Sequence, residues 1–440
     1  MLPLRPQRRS STAALIIAAI LLLAAACTTN APRVAAGTSA TAAPSTADPA
    51  AGLVAKAARQ AAQYDYDAAI ATLSAGGSAA AKKELAAVQA AKAQAVTWRD
   101  NSTIPHLFYH SLIVDPARAF GAGTQGVGFN QYMVTVSEFT KQLQQMYDKG
   151  WVMVHPERIA APGPDGAMAA QPIVLAPGKK PFVLSIDDVN YYEFMSGKGF
   201  ATNLVVKGDG RVVNTYTNAA GATTEGSYDV MPIVDDFVRE HPDFAYRGDK
   251  GSIAVTGYNG VLGYRSSVQT YGDTQSTKSA QQKAKTAADA LKNEGWNFAS
   301  HSWGHINMTT QSLARITDDA QRWDAEVRPI VGDTRELVFP FGADLAGIEH
   351  YGPGNAKFSY LHDAEKFTYY FGVNGATLHW MQLDPSIVRQ ARINVDGISM
   401  QRVLDGKKSP LPEFFDVQST IDPKRPLPVP SSGGPKAGGG

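Results

Sequence analysis

A chain of 440 residues with 41 Lys+Arg against 40 Asp+Glu carries a formal charge of +1, which offers no electrostatic case for a nucleic-acid partner. Its 44% hydrophobic and 18% charged content suffices for a sizeable core and excludes disorder throughout, while 40 Gly and 26 Pro imply much loop. One cysteine excludes a disulfide scaffold and any thiolate-rich zinc or iron–sulfur site.

Arg5, Arg8 and Arg9 precede an unbroken apolar run over 13–26 that ends at Cys27 and is too short to cross a hydrocarbon core of ~30 Å as a helix. This is the layout of a signal peptide over 1–26. Leu23-Ala24-Ala25-Ala26-Cys27 resembles the lipobox of bacterial lipoproteins, whose cysteine is lipidated and becomes the mature N-terminus, although Leu23 sits one place earlier than the usual aliphatic position. Cleavage by ordinary signal peptidase is the alternative reading of the same alanines. Either route predicts export, with Cys27 anchoring the chain to a membrane in the first case and simple secretion in the second. Removing 1–26 takes three arginines and no acids, so the formal charge falls from +1 to −2.

Residues 27–52 follow as a lipidated Cys and flexible linker, Ala/Thr/Ser/Pro-rich and too poor in large apolar residues to repay the entropy of folding. Over 53–98 an Ala-rich helical periodicity interrupted at Gly76-Gly77 predicts a two-helix hairpin, a spacer or a dock for another protein. Tyr64-Asp65-Tyr66-Asp67-Ala68-Ala69-Ile70 faintly resembles a tetratricopeptide helix, but one helix pair is too few for a solenoid. From 99 to 404 short strand-like runs alternate with amphipathic helices, which predicts an α/β domain. The strands are expected at 104–110, 151–155, 182–186, 252–256, 296–300, 336–341, 368–373 and 391–395. Thr135 and Glu138 form a capping box ahead of Phe139, Leu143 and Met146, and two further helices carry Ala284, Ala287, Ala288 and Leu291, then Ile316, Ala320 and Trp323. An insertion over about 195–275 holds a hairpin around Asp209-Gly210 and a helix near 232–240. Beyond 404 periodicity is lost, and 405–440 is expected to be a mostly disordered tail.

Three strands end in residues that carry chemistry: Asp187-Asp188, His301-Ser302-Trp303-Gly304-His305, and Pro340-Phe341-Gly342. Carboxyl ends of parallel strands are where α/β folds gather their sites. Two successive aspartates can serve one site only if the chain turns there, since strand side chains otherwise alternate faces. Asp188, His301 and His305 would then supply one carboxylate and two imidazoles and leave a position for water, the arrangement of a catalytic zinc site, with Asp187 free as a base. Each element alone has a plainer explanation as a helix cap, a turn or a surface histidine pair. Their conjunction in this chain order is what points to a site.

At these residues the sequence resembles the polysaccharide deacetylases of carbohydrate esterase family four. Ser185-Ile186-Asp187-Asp188-Val189 stands at the family's Thr-Phe-Asp-Asp-Gly, His301 and His305 fill its His-Ser/Thr-x-x-His, and Val338-Phe339-Pro340-Phe341-Gly342 stands at its Arg-x-Pro-Tyr-Gly. Phe108-Tyr109-His110-Ser111 looks like the family's first strand. The resemblance implies an irregular (β/α) barrel with fewer than eight strands, here preceded by the helical hairpin. It also implies metal-assisted removal of acetyl groups: a divalent metal ion, zinc foremost, on Asp188, His301 and His305, Asp187 as base, and the N–H of Phe341 at the oxyanion. The expected partner is an acetylated cell-envelope or extracellular polysaccharide, with Tyr191, Tyr192 and Trp303 as candidates for stacking on sugar rings.

The departures set the questions. Val189 replaces a glycine. Val338 replaces the arginine that pairs with the catalytic aspartate, and Arg392 is expected to take over that pairing, with Arg265 as the lesser candidate and a plain contact with Asp396 as the structural alternative. The family's C-terminal Leu-x-His general acid has no clean counterpart; Leu378-His379 lacks the spacer, and His379 is either that acid or a core histidine. A glycan-binding protein that has lost catalysis on the same scaffold is therefore the rival reading. Gly257-Tyr258-Asn259-Gly260-Val261-Leu262-Gly263 lacks the dinucleotide fingerprint spacing, and the second aspartate argues against a non-haem iron triad.

Overall fold

The structure is a computed structural model that describes residues 49–431. The signal peptide, Cys27, the linker up to 48 and residues 432–440 lie outside the described residues. Among those described, no helix is long and apolar enough to cross a membrane.

Three helices open the described chain, α1 (Pro49–Ala62), α2 (Tyr66–Ser74) and α3 (Ala79–Gln94), where the sequence predicts two. The break at Gly76-Gly77 is present, and Ser78 caps α3 by accepting from Ala81 N. A second break falls at Tyr64, which has φ 64° and no Gly or Pro beside it. Its ring is buried and its hydroxyl donates to the Asp243 carbonyl at 2.7 Å, a tertiary contact that draws the chain out of the helix. The three helices share a core of Ala57, Ala69, Leu73 and Val88 with Val152, Ile173 and Val183 of the domain that follows.

That domain is an α/β barrel. Its strands are β1 (His106–Tyr109), β2 (Trp151–Met153), β3 (Lys180–Ile186), then β4 (Asn203–Val206), β5 (Val212–Thr217) and β6 (Thr223–Gly226) of the insertion, then β7 (Ser252–Val255), β8 (Asn297–Ser300), β9 (Glu336–Val338), β10 (Tyr369–Val373), β11 (Met381–Asp384) and β12 (Ile387–Asn394). Seven of these, β3, β7, β8, β9, β10, β12 and β1, pair in parallel in that order, and β1 returns to β3 to close the ring. The remaining predicted strand, β2, pairs with the start of β3 outside the ring, and β11 runs antiparallel on β12. Fewer than eight strands thus close the barrel. Being covered on both faces, they read as near-continuous apolar runs such as Phe182-Val183-Leu184, all buried.

Amphipathic helices cover the ring. α4 (Val136–Asp148) starts with the expected capping box: Thr135 Oγ1 accepts from Glu138 N, and the Glu138 carboxylate accepts from Thr135 N. α5 (Val230–Glu240) closes the insertion, α6 (Gln275–Asn293) and α7 (Leu313–Glu326) flank β8, and α8 (Gly397–Leu404) follows β12. In the insertion, β5 buries alternate residues, and Asn214 among them donates to the Tyr191 hydroxyl at 2.8 Å. The sheet is therefore tied to the loop after β3.

The expected disordered tail needs correction up to residue 431. Leu411, Phe414, Phe415 and Val417 are buried in the main core, and Arg425 is buried against Glu138, donating from Nε and Nη2 at 2.7 and 2.6 Å. Its anchors are single residues on one-turn helices, Leu411–Glu413 and Val417–Thr420, and on the irregular backbone between and after them. A periodicity search has nothing to detect in such a strap.

Candidate active site

The ends of β3, β8 and β12 converge on one cluster. β3 runs into Asp187, whose N–H still bonds to the Tyr109 carbonyl of β1 at 2.9 Å. The next residue, Asp188, has φ 60°, in the left-handed region that L residues seldom enter. That turn is what brings two successive carboxylates to one place. After β8, Ser302 and His305 also have positive φ, 57° and 52°. Asp319 of α7 holds this loop by accepting from Trp303 N at 2.6 Å and Gly304 N at 2.9 Å. Strained backbone at three positions of one cluster is a mark of function.

One ligand atom each from Asp188, His301 and His305 lies within 4.8 Å of the others. His301 Nε2 is 3.9 Å from Asp188 Oδ1, and His305 Nε2 is 3.8 Å from Asp188 Oδ2. These are gaps wider than a hydrogen bond and suited to a shared cation. His301 donates from Nδ1 to the Val338 carbonyl at 2.9 Å, which fixes the tautomer and leaves the Nε2 lone pair toward the aspartates. Burial pushes His301 below its ordinary value against the pull of Asp187 and Asp188, favouring the neutral imidazole that a metal requires. Burial likewise works to raise Asp188, and His305, His301 and His110 together hold it low. The donor set, two neutral-capable imidazoles and an ionised carboxylate, fits a divalent cation.

Asp187 is 3% exposed and gripped bidentately: Arg392 Nη1 donates to Oδ1 at 2.6 Å and Nη2 to Oδ2 at 2.9 Å. Burial alone would raise this carboxyl, but the guanidinium and then His301 outweigh it and hold it well below the usual carboxylate range. Arg392 lies over the Phe108 ring, 4.1 Å from its centroid, and also donates to Ser185 Oγ at 3.0 Å. Beneath it, Ser185 meets His106 Nε2 at 2.9 Å and His106 Nδ1 meets Gln390 Oε1 at 3.0 Å. Burial and Arg392 keep His106 well below its ordinary value, hence neutral. Asp396 is not the arginine's partner; it caps α8 by accepting from Ser399 N at 2.7 Å. Arg265 donates to the carbonyls of Asn259 and Tyr191, away from Asp187. Val189, in the family's glycine position, is fully buried.

Phe341 has φ 61° and is 62% exposed, with its ring edge-on to His305 at 4.4 Å. Three other expectations need correction. Tyr191, Tyr192 and Trp303 are buried, and each polar tip has a protein partner: Asn214 for Tyr191, Asp188 for Tyr192, and Glu326, at 2.7 Å, for Trp303. Glycine at 257 leaves the space into which Trp303 packs. With no face free, these rings serve packing. His379 is exposed, so it is no core histidine. Another histidine, His110, lies half-buried just after β1, and its charge is among the smaller influences that favour the ionised forms of Asp187, Asp188 and Asp396. Its signal was present in the sequence as a polar residue closing an apolar strand, Leu107-Phe108-Tyr109-His110. His106, Ser185 and Gln390 gave no such signal, since they lie within strands.

Comparison with known proteins finds a family likeness over part of the chain. The model for polysaccharide deacetylase matches residues 269–348, which include His301, His305 and Phe341 but neither aspartate nor Arg392. No curated protein matches. A solved structure, the Streptococcus pyogenes deacetylase PplD in complex with acetate, is similar at 16% identity and a TM-score of 0.34, over 71% of this chain and 98% of that one.

Proposed function

We propose, from the similarity of residues 269–348 to the polysaccharide deacetylase model and from the site's geometry, that this chain is a metal-dependent hydrolase removing acetyl groups from an acetylated glycan outside the cytoplasm. The observation that carries the reading is the meeting of Asp188, His301 and His305 within 4.8 Å beside an aspartate clamped by a buried arginine. Those three residues hold a divalent ion, zinc being the first expected from two imidazoles and a carboxylate. When bound, the ion supplies Lewis acidity, polarising the acetyl carbonyl and making an adjacent water more acidic.

Asp187, kept ionised by Arg392, accepts the proton of the attacking water at a carboxylate oxygen. His110, half-buried just after β1, is the candidate for donating a proton to the departing amine or alcohol. The N–H of Phe341, on its exposed turn, offers a hydrogen bond to the oxygen that gains charge. Loss of the family arginine and of a C-terminal acid would suit an inactive glycan-binding protein; the buried clamp of Arg392 on Asp187 supports the catalytic reading instead. The test is acetate release from a panel of N- and O-acetylated oligosaccharides by the full chain, before and after metal is stripped. No release from any substrate, with zinc restored, would count against catalysis.

A further inference from the structure

Tyr192 has no ring face free for a sugar, yet its hydroxyl is spent on the site. It donates to Asp188 Oδ1 at 2.6 Å and lies 2.8 Å from Thr256 Oγ1. A phenol has one proton, and the charged carboxylate is the stronger acceptor, so Thr256 must donate its own proton to the phenol oxygen. Thr256 is itself fixed just beyond β7: it is fully buried, its N–H donates to Asn190 Oδ1 at 3.1 Å, and its carbonyl accepts from Asn190 Nδ2 at 2.8 Å. The Tyr192 ring is held between Tyr258 and Phe194, centroids 5.1 and 5.4 Å away and planes within 13° and 15° of parallel. Neither the ring nor the threonine can follow Asp188 if its carboxylate rotates.

Asp188 needs such a restraint. It sits on a turn with φ 60°, outside the strand ladder that would otherwise aim its side chain. The phenol fixes Oδ1 at 3.9 Å from His301 Nε2, and Oδ2 then faces His305 Nε2 at 3.8 Å.

We infer that Thr256 and Tyr192 form a donor relay that orients Asp188 for the cation, so that Tyr192 is a positioning residue governing metal affinity; the inference rests on the reading of Asp188, His301 and His305 as ligands. Partners of this kind, which fix the orientation of a metal ligand, typically carry a 10–100-fold effect on affinity.

The test is calorimetric titration of zinc into the full chain, stripped of metal with a chelator, for the wild type and for Tyr192→Phe, Thr256→Val and Asp188→Asn. Tyr192→Phe keeps the stacked ring and should raise the zinc Kd about 10–100-fold, while the metal-free melting temperature stays close to that of the wild type. Thr256→Val should raise Kd by a smaller factor in the same direction. A Kd for folded Tyr192→Phe within about threefold of the wild type overturns the inference, since a hydroxyl that merely satisfies burial would lower the melting temperature without moving Kd. If Tyr192→Phe fails to fold, Thr256→Val decides by the same criterion. Wild type that binds no zinc, or Asp188→Asn that binds as tightly, takes down the ligand reading together with this one, an outcome distinct from unchanged affinity in Tyr192→Phe alone.

Discussion

Arg392 is a fully buried cation whose two terminal nitrogens both go to Asp187. The sequence carried this pairing indirectly: Val338 vacates the family position, a base carboxylate beside a cation needs an orienting fork, and a barrel strand holds an arginine more rigidly than a loop. What stayed illegible was the support beneath it, Ser185, His106 and Gln390, because polar residues inside strands look the same whether they line a network or merely tolerate burial. The pH–rate profile tests the pairing of Arg392 with the base. Asp187 is ionised far below neutrality because Arg392 favours the charged form; without the arginine, burial dominates and the carboxyl rises. In Arg392→Met the acid limb should therefore move to higher pH, with turnover down severalfold or more and zinc affinity nearly unchanged. An acid limb that stays in place in Arg392→Met shows that the base is tuned by something else.

The elements read from period and caps came out where expected: the barrel strands, the Thr135–Glu138 capping box and the strand-end motifs. Two failed for a shared physical reason. The bend at Tyr64 and the strap over 405–431 are fixed by long-range contacts, Tyr64 to Asp243 and Arg425 to Glu138, which no local periodicity announces; the bend has no Gly or Pro beside it, and the strap's prolines read as disorder. The strap is tied into the start of α4: Asp422 accepts from Thr135 Oγ1 at 2.9 Å and donates its N–H to Glu138 Oε1 at 3.0 Å, while Arg425 Nη1 donates to the Asn130 carbonyl at 2.7 Å. Breaking a buried pair strands the remaining charge. Arg425→Met should thus cost about 3–5 kcal/mol, read as a lowered midpoint in equilibrium urea unfolding. A loss below about 1 kcal/mol, the scale of an exposed ion pair, would mean that the strap is not structurally coupled to α4.

At the scale of the whole molecule, seven parallel strands place Asp187, Asp188, His301, His305 and Arg392 at one end of a barrel from points up to 205 residues apart. Only the strand-end motifs announce that convergence in the sequence. The N-terminal 27 residues bear on where the protein works. If Cys27 carries lipid, Cys27→Ser should shift the protein from the membrane fraction to the soluble exported fraction, whereas unchanged partitioning leaves plain secretion. The central claim, hydrolysis by an aspartate base beside a metal held on separate residues, is tested most directly by Asp187→Asn, assayed for acetate release and for bound zinc in the same preparation. Loss of nearly all turnover with full zinc occupancy is the expected result; turnover that persists, or zinc lost together with activity, would contradict it.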